Sequence, residues 1–177
     1  MALSRLLLLC MVASEVWDTE TKPIAFVCSR DARKTMNIVP EIETALRECS
    51  DSATLSTPAQ LPCTELHIAT WGKKSDQEKR GDIVASLRLL FEGVNTLRNL
   101  TQAGCATLLL QRLENNINNY LMILTHLQLS GPLLPSSLSC VPRSTQSLRL
   151  VLRSYNQLIS GKLERFIINL EDRCTRQ

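Results

Sequence analysis

The residues of this chain best equipped for chemistry are seven cysteines and two histidines. The histidines are His67, in a Ser/Thr-rich connection, and His126, near the end of a helical stretch. No Gly-x-Ser-x-Gly elbow, phosphate-cradling glycine loop or His-Glu-x-x-His helix accompanies them. Neither histidine has the partners that acid–base or nucleophilic catalysis needs, so the chain reads as no enzyme. No Cys-x-x-Cys pair occurs, and a zinc or thioredoxin-type site has no support. No metal and no cofactor are expected. What remains for the cysteines is cross-linking.

The start, MALSRLLLLCMVAS, has one basic residue, a short apolar run from Leu6 to Ala13 and then small polar residues. That is the pattern of a secretory signal peptide, and the run is too short to span a bilayer. Residues 1–21 are read as the leader, cleaved after Ser14 or a few residues later, and residues 22–177 as one domain. Cys10 leaves with the leader. Cys28, Cys49, Cys63, Cys105, Cys140 and Cys174 remain, an even number suited to an oxidising compartment. Spacing alone leaves their pairing open. No second hydrophobic span follows, so a secreted, extracellular product with no membrane insertion is expected.

Those cysteines need elements to position them. Aromatic residues are only 4% of the chain, so its core must be built from Leu and Ile. Six Gly and seven Pro are too few for a sheet with many tight turns. A net charge of +3, without Lys/Arg clusters or interleaved aromatics, does not point to nucleic acid. Leu148, Leu152, Tyr155, Ile159, Leu163, Phe166, Leu170 and Cys174 recur at steps of three or four. They are the apolar stripe of a long amphipathic last helix, with Arg149, Arg153, Lys162, Arg165 and Arg173 on its other faces. The spacing of Ala32, Met36, Val39, Ile42 and Leu46 predicts a first helix over 29–48, kinked or interrupted at Pro40. Ser75 and Glu78 form a capping box ahead of a second stripe, Ile83, Leu87, Leu90, Val94 and Leu97. A third stripe runs from Ala106 to Leu127 and is stopped by Ser130-Gly131-Pro132. Asn99-Leu-Thr101 is an N-glycosylation sequon in the short link between them.

The fold class is therefore all-α, four helices joined by a long, a short and a long connection. The short link favours a hairpin, while the long ones can each cross the length of a helix. Long-short-long gives an up-up-down-down four-helix bundle with two crossover loops.

The segments Asp82-Ile-Val-Ala-Ser-Leu-Arg-Leu-Leu-Phe-Glu-Gly-Val94 and Ser160-Gly-Lys-Leu-Glu-Arg-Phe166 resemble the erythropoietin/thrombopoietin family of long-chain helical cytokines. The resemblance implies pairs Cys28–Cys174 and Cys49–Cys105, and a third bridge, Cys63–Cys140, is expected to join the crossover loops. It implies a monomeric hormone that brings together two single-pass cytokine receptor chains and activates JAK-STAT signalling. The thrombopoietin receptor and the thrombocyte lineage are the expected targets, with the erythropoietin receptor as alternative. A tight face would use the last helix and the first long connection, and a weaker face the first and third helices. Gly161 and Lys162 match the family's Gly-Lys, Arg165 lies one turn on, and Ser160 stands where the family usually carries Arg. Arg149 and Arg153 are candidates for compensating charge, and Arg33 and Lys34 for the weaker face. The chain ends three residues past Cys174, where some members continue into a Pro/Ser/Thr-rich tail. A secreted helical carrier of lipids or small apolar ligands is the rival class, and an internal cavity would distinguish it.

Overall fold

The computed structural model describes residues 21–49, 54–101 and 104–176. The proposed leader, residues 1–20 above all, lies outside the described residues. The first helical region is three pieces rather than one: α1 (Thr21–Cys28), α2 (Arg30–Met36) and α3 (Val39–Glu48). It begins eight residues earlier than its periodicity predicts, so Cys28 ends a helix instead of preceding one. Ser29 makes the first break. Its amide closes α1 on the Ala25 carbonyl, and its hydroxyl accepts from the Ala32 amide to start α2. Pro40 accompanies the second break. It occupies the second position of α3, where a missing N–H costs little.

The first long connection holds a strand, β1 (Thr54–Leu61), and a short helix, α4 (Ile68–Lys73), anchored by buried Trp71. The next helix, α5 (Asp76–Leu100), starts on the capping box, with the Ser75 amide 2.7 Å from the Glu78 carboxylate. Backbone and hydroxyl hydrogen bonds from Ser75 hold Glu78 below its ordinary carboxylate range. α6 (Cys105–His126) follows, then strand β2 (Arg143–Ser147) and α7 (Leu148–Gln157), capped by the Ser147 hydroxyl. The last helical region is not uniform. It passes through a π-helical turn, Leu158–Leu163, into α8 (Glu164–Leu170) and a 3₁₀ end, Glu171–Arg176.

Side-chain pairings give the direction of each segment. Glu41 and Met36 meet Arg112 and Asn116 in that order, so the first region runs against α6. Arg33 reaches Glu171, while Asp76 and Asp82 reach Arg173 and Lys162, so the last region runs against both the first and α5. Asn95 and Arg80 meet Glu114 and Leu127, which sets α5 against α6. Two segments therefore run one way and the next two the other. The structure bridges Cys28 to Cys174, Cys49 to Cys105 and Cys63 to Cys140, with Cα atoms 5.6, 5.9 and 6.0 Å apart.

The crossover loops pair with each other, which the sequence did not reveal. β1 and β2 form an antiparallel ribbon, with Leu61 opposite Arg143 and Thr54 opposite Ser147. β1 buries Leu55 and Ala59, and Ala59 faces Gly93 of α5. The second crossover passes closer to Gly81: an added Cβ there would stand 3.2 Å from the Pro135 carbonyl. Most of the stripe residues read from the sequence lie in the core, joined by Phe26, Val27, Leu55, Ala59 and Trp71. Phe26, Tyr120 and Tyr155 meet edge to face at its centre, with centroids 5.8 and 6.4 Å apart. Among the described residues no helix is long and apolar enough to cross a membrane.

Candidate functional site

The last helical region carries most of the residues singled out from sequence, and the structure divides them between two sides. Arg149, Arg153, Ser160 and Arg165 are exposed, and Gly161 is half-buried. Arg149, Arg153 and Arg165 make no ion pair among the described residues. All three guanidinium groups are exposed along the last helical region, with Ile168 beyond them, 47% exposed. A Cβ at Gly161 would meet nothing within 4 Å, so nothing inside the chain requires a glycine there.

Lys162 is on the other side, contrary to the outward position read from sequence. Only 2% of it is exposed. Leu158, Lys162 and Phe166 are spaced by four, so the lysine stands in line with two core residues, and the π-helical turn carries it inward. Its ammonium lies 2.9 Å from Asp82 Oδ2 and donates to the Cys63 carbonyl at 2.7 Å and to the Ser139 hydroxyl at 3.2 Å. Cys63 and the neighbour of Ser139, Cys140, are joined to each other. One buried cation therefore ties both crossover loops to α5. Lys74 stands 3.7 Å from the same Asp82 oxygen, and both ammonium groups face the Trp71 ring, at 5.5 and 5.7 Å from its centroid. A cleft of about 860 Å³ opens beside this cluster, between the loops and the start of α5, outside the Leu/Ile core. Its lining is mixed, with Glu65, Lys74 and Arg143 beside Leu61, Trp71, Leu134 and Val141.

Arg33 is likewise committed inward. It donates to the Val27 and Phe26 carbonyls at the end of α1, and pairs with Glu171 at 2.6 Å and Glu164 at 3.3 Å. The reason is local: the break at Ser29 frees α1 carbonyls, and an arginine one turn into α2 is placed to take them. Lys34, its neighbour, is exposed. Asn99 is exposed in the last turn of α5, with the Thr101 hydroxyl on the Leu97 carbonyl. His67 and His126 are both exposed, the first near Glu65 and the second on the Met122 carbonyl. Among the described residues there is no cluster able to hold a metal ion. The arrangement offers contacts rather than chemistry: exposed basic groups on a helix held rigidly from behind. The inward set of Asp82, Trp71 and Lys162 was missed in the sequence, and the spacing of Lys162 between Leu158 and Phe166 was its signal.

The erythropoietin/thrombopoietin family model matches residues 33–177 of this chain. Mouse thrombopoietin is 29% identical over 174 residues, 97% of this chain and 47% of that protein. Rat thrombopoietin is 28% identical over 172 residues, 97% of this chain and 51% of that one. Erythropoietin of Takifugu rubripes is 30% identical over 104 residues, 57% of this chain and 54% of that one. The chain spans about half the length of the curated relatives it matches.

Proposed function

Because the chain belongs to the erythropoietin/thrombopoietin family, we propose that it is a secreted helical hormone that acts by bringing together two cytokine receptor chains and thereby activating JAK-STAT signalling. The observation that carries this reading is the exposure of Arg149, Arg153 and Arg165 along the last helical region, unpaired with acids among the described residues, while the apolar stripe of that region is buried. Exposed guanidinium groups suit acidic residues of a receptor ectodomain, where charge steers encounter and fixes orientation. Ser160 and Gly161 sit in the same strip and let a partner approach closely. Lys34 belongs to a second, weaker surface made by the first region and α6. Lys162 and Arg33 hold the two surfaces from behind rather than touching a receptor. The thrombopoietin receptor is the proposed target, supported by a match to rodent thrombopoietins over nearly the whole chain, against 57% for fish erythropoietin. Cleavage of a leader within residues 1–21 and a sugar on Asn99 complete the proposal.

The test is binding of the secreted product to thrombopoietin- and erythropoietin-receptor ectodomains, with stoichiometry. Two thrombopoietin receptors per ligand, with the Arg153→Glu/Arg165→Glu variant weakened by about 2–4 kcal/mol, is the expected result. Preference for the erythropoietin receptor would keep the mechanism and change the target. Binding to neither would overturn the reading.

A further inference from the structure

Four asparagines crowd the middle of α6, at 115, 116, 118 and 119, and three of them are exposed. Asn116 is buried, and both ends of its amide are engaged. Its nitrogen donates to the Met36 carbonyl at 2.8 Å, and its oxygen accepts from the Tyr155 hydroxyl. Met36 is the last residue of α2. In an unbroken helix its carbonyl would accept from the backbone N–H four residues on. That residue is Pro40, which has no N–H. Asn116 therefore supplies, from another helix, the donor that Pro40 removes. The Met36 carbonyl, which can only accept, fixes which way round the amide points and leaves its oxygen to the Tyr155 hydroxyl.

We infer that Asn116 is a positioning residue for the weaker contact surface, setting the alignment of the broken first region on α6. The inference rests on the two-surface reading above. Lys34 is two residues before Met36, and the exposed Glu41–Arg112 pair, 2.7 Å, lies just beyond the break. The surface is thus composite, half on the first region and half on α6, and the chain between its parts leaves helical geometry at Asn37 and Ile38. The Arg112–Glu41 pair is exposed and can slide; a buried amide bonded to one named carbonyl cannot. The last helical region meets Asn116 through Tyr155 and meets α2 separately through Arg33, and a change at Asn116 leaves the Arg33 pairs with Glu164 and Glu171 in place.

The test uses whichever of the two receptor ectodomains captures the full chain, with first and second binding events measured separately. Asn116→Leu is expected to weaken the second event about tenfold and leave the first within about twofold, the size of one lost buried hydrogen-bond partner. Tyr155→Phe removes a buried hydroxyl of the same network but leaves the Asn116–Met36 bond, and is expected to change neither event. Should the leucine variant not fold, Asn116→Asp makes the same comparison: it keeps the size and the bond from Tyr155 and, when ionised, has no donor for Met36. Equal losses in both events, no loss in either, or a second-event loss as large for Tyr155→Phe would overturn the inference. Failure of the unmodified chain to bind any receptor would instead sink the two-surface reading itself.

Discussion

Lys162 and Arg165 stand three residues apart on the last helical region and have opposite surroundings. The lysine is enclosed by Asp82, the Cys63 carbonyl, Ser139 and the Trp71 ring, while the arginine faces solvent. The same contrast separates Arg33 from Lys34, adjacent in sequence. Lys162 sits in the π-helical turn, and Arg33, one turn into α2, reaches back to the carbonyls at the break after α1. Irregular backbone there places carbonyls and crossover loops within reach, and a long cationic side chain serves them. The outward cations, Lys34 and Arg165, are exposed and make no ion pair among the described residues. A basic residue on an amphipathic helix can thus be framework or surface, and the carbonyls and carboxylates within its reach decide which.

The sharpest way to break this contrast is to remove each cation in turn. Lys162→Met keeps the volume and strands Asp82, which is 3% exposed, with Lys74 as its remaining cation among the described residues. A loss of about 3–5 kcal/mol is expected in urea unfolding, the cost of an uncompensated buried charge. Adding Asp82→Asn should recover most of it, because the stranded charge goes too. Arg165→Ala should stay within about 0.5 kcal/mol of the parent. Similar losses for both single variants would show that the inner and outer positions do not differ in the way the geometry implies.

The contrast also marks what was legible in the sequence. The stripe from Leu148 to Leu170 is buried as its spacing requires, and so are the stripes of α5 and α6, because a 3.6-residue period reports one face of a helix directly. Ser75 and Glu78 do what a capping box does. Leu158 and Phe166 flank Lys162 at four-residue spacing, yet its charge suggested an outer face; the countercharge that permits burial, Asp82, is eighty residues away in sequence. The ribbon between Thr54–Leu61 and Arg143–Ser147 was illegible for a related reason. Neither strand has a clean alternation, and each exists because the other lies beside it. The early start of the first region at Thr21 lies ahead of the apolar spacing that begins at Ala32, and its opening turn tolerates Pro23.

The inner side makes a second, smaller prediction. The chain has two tyrosines, Tyr120 and Tyr155, and both are on that side. Burial pushes both phenols well above their ordinary range, with Glu164 adding to the effect at Tyr120 and Tyr120 at Tyr155. A raised folded-state value gives stability that is present below the unfolded value, near pH 10, and lost above it. Each tyrosine should therefore remove about 1.4 kcal/mol per pH unit above about pH 10. Tyrosinate absorbance should rise only together with loss of helix by circular dichroism. Smooth ionisation near pH 10 in a folded chain would place these rings closer to water than the core geometry does.

The smallest expected effect lies on the outer side and tests what that side is for. Gly161 occupies the π-helical turn beside Ser160, and a Cβ there has open space around it. Its φ is not in the left-handed region, so alanine needs no backbone change. Glycine within a helix is less favourable than alanine by about 0.5–1 kcal/mol, and Gly161→Ala should stabilise the chain by that amount. A stabilising substitution that leaves receptor binding intact would make the glycine a tolerated accident. If the outer strip is a contact surface, the added methyl group instead holds the partner off, and binding falls while stability rises. That opposite movement cannot arise from damage to the fold. It would separate surface from framework at a single position, one residue from Lys162.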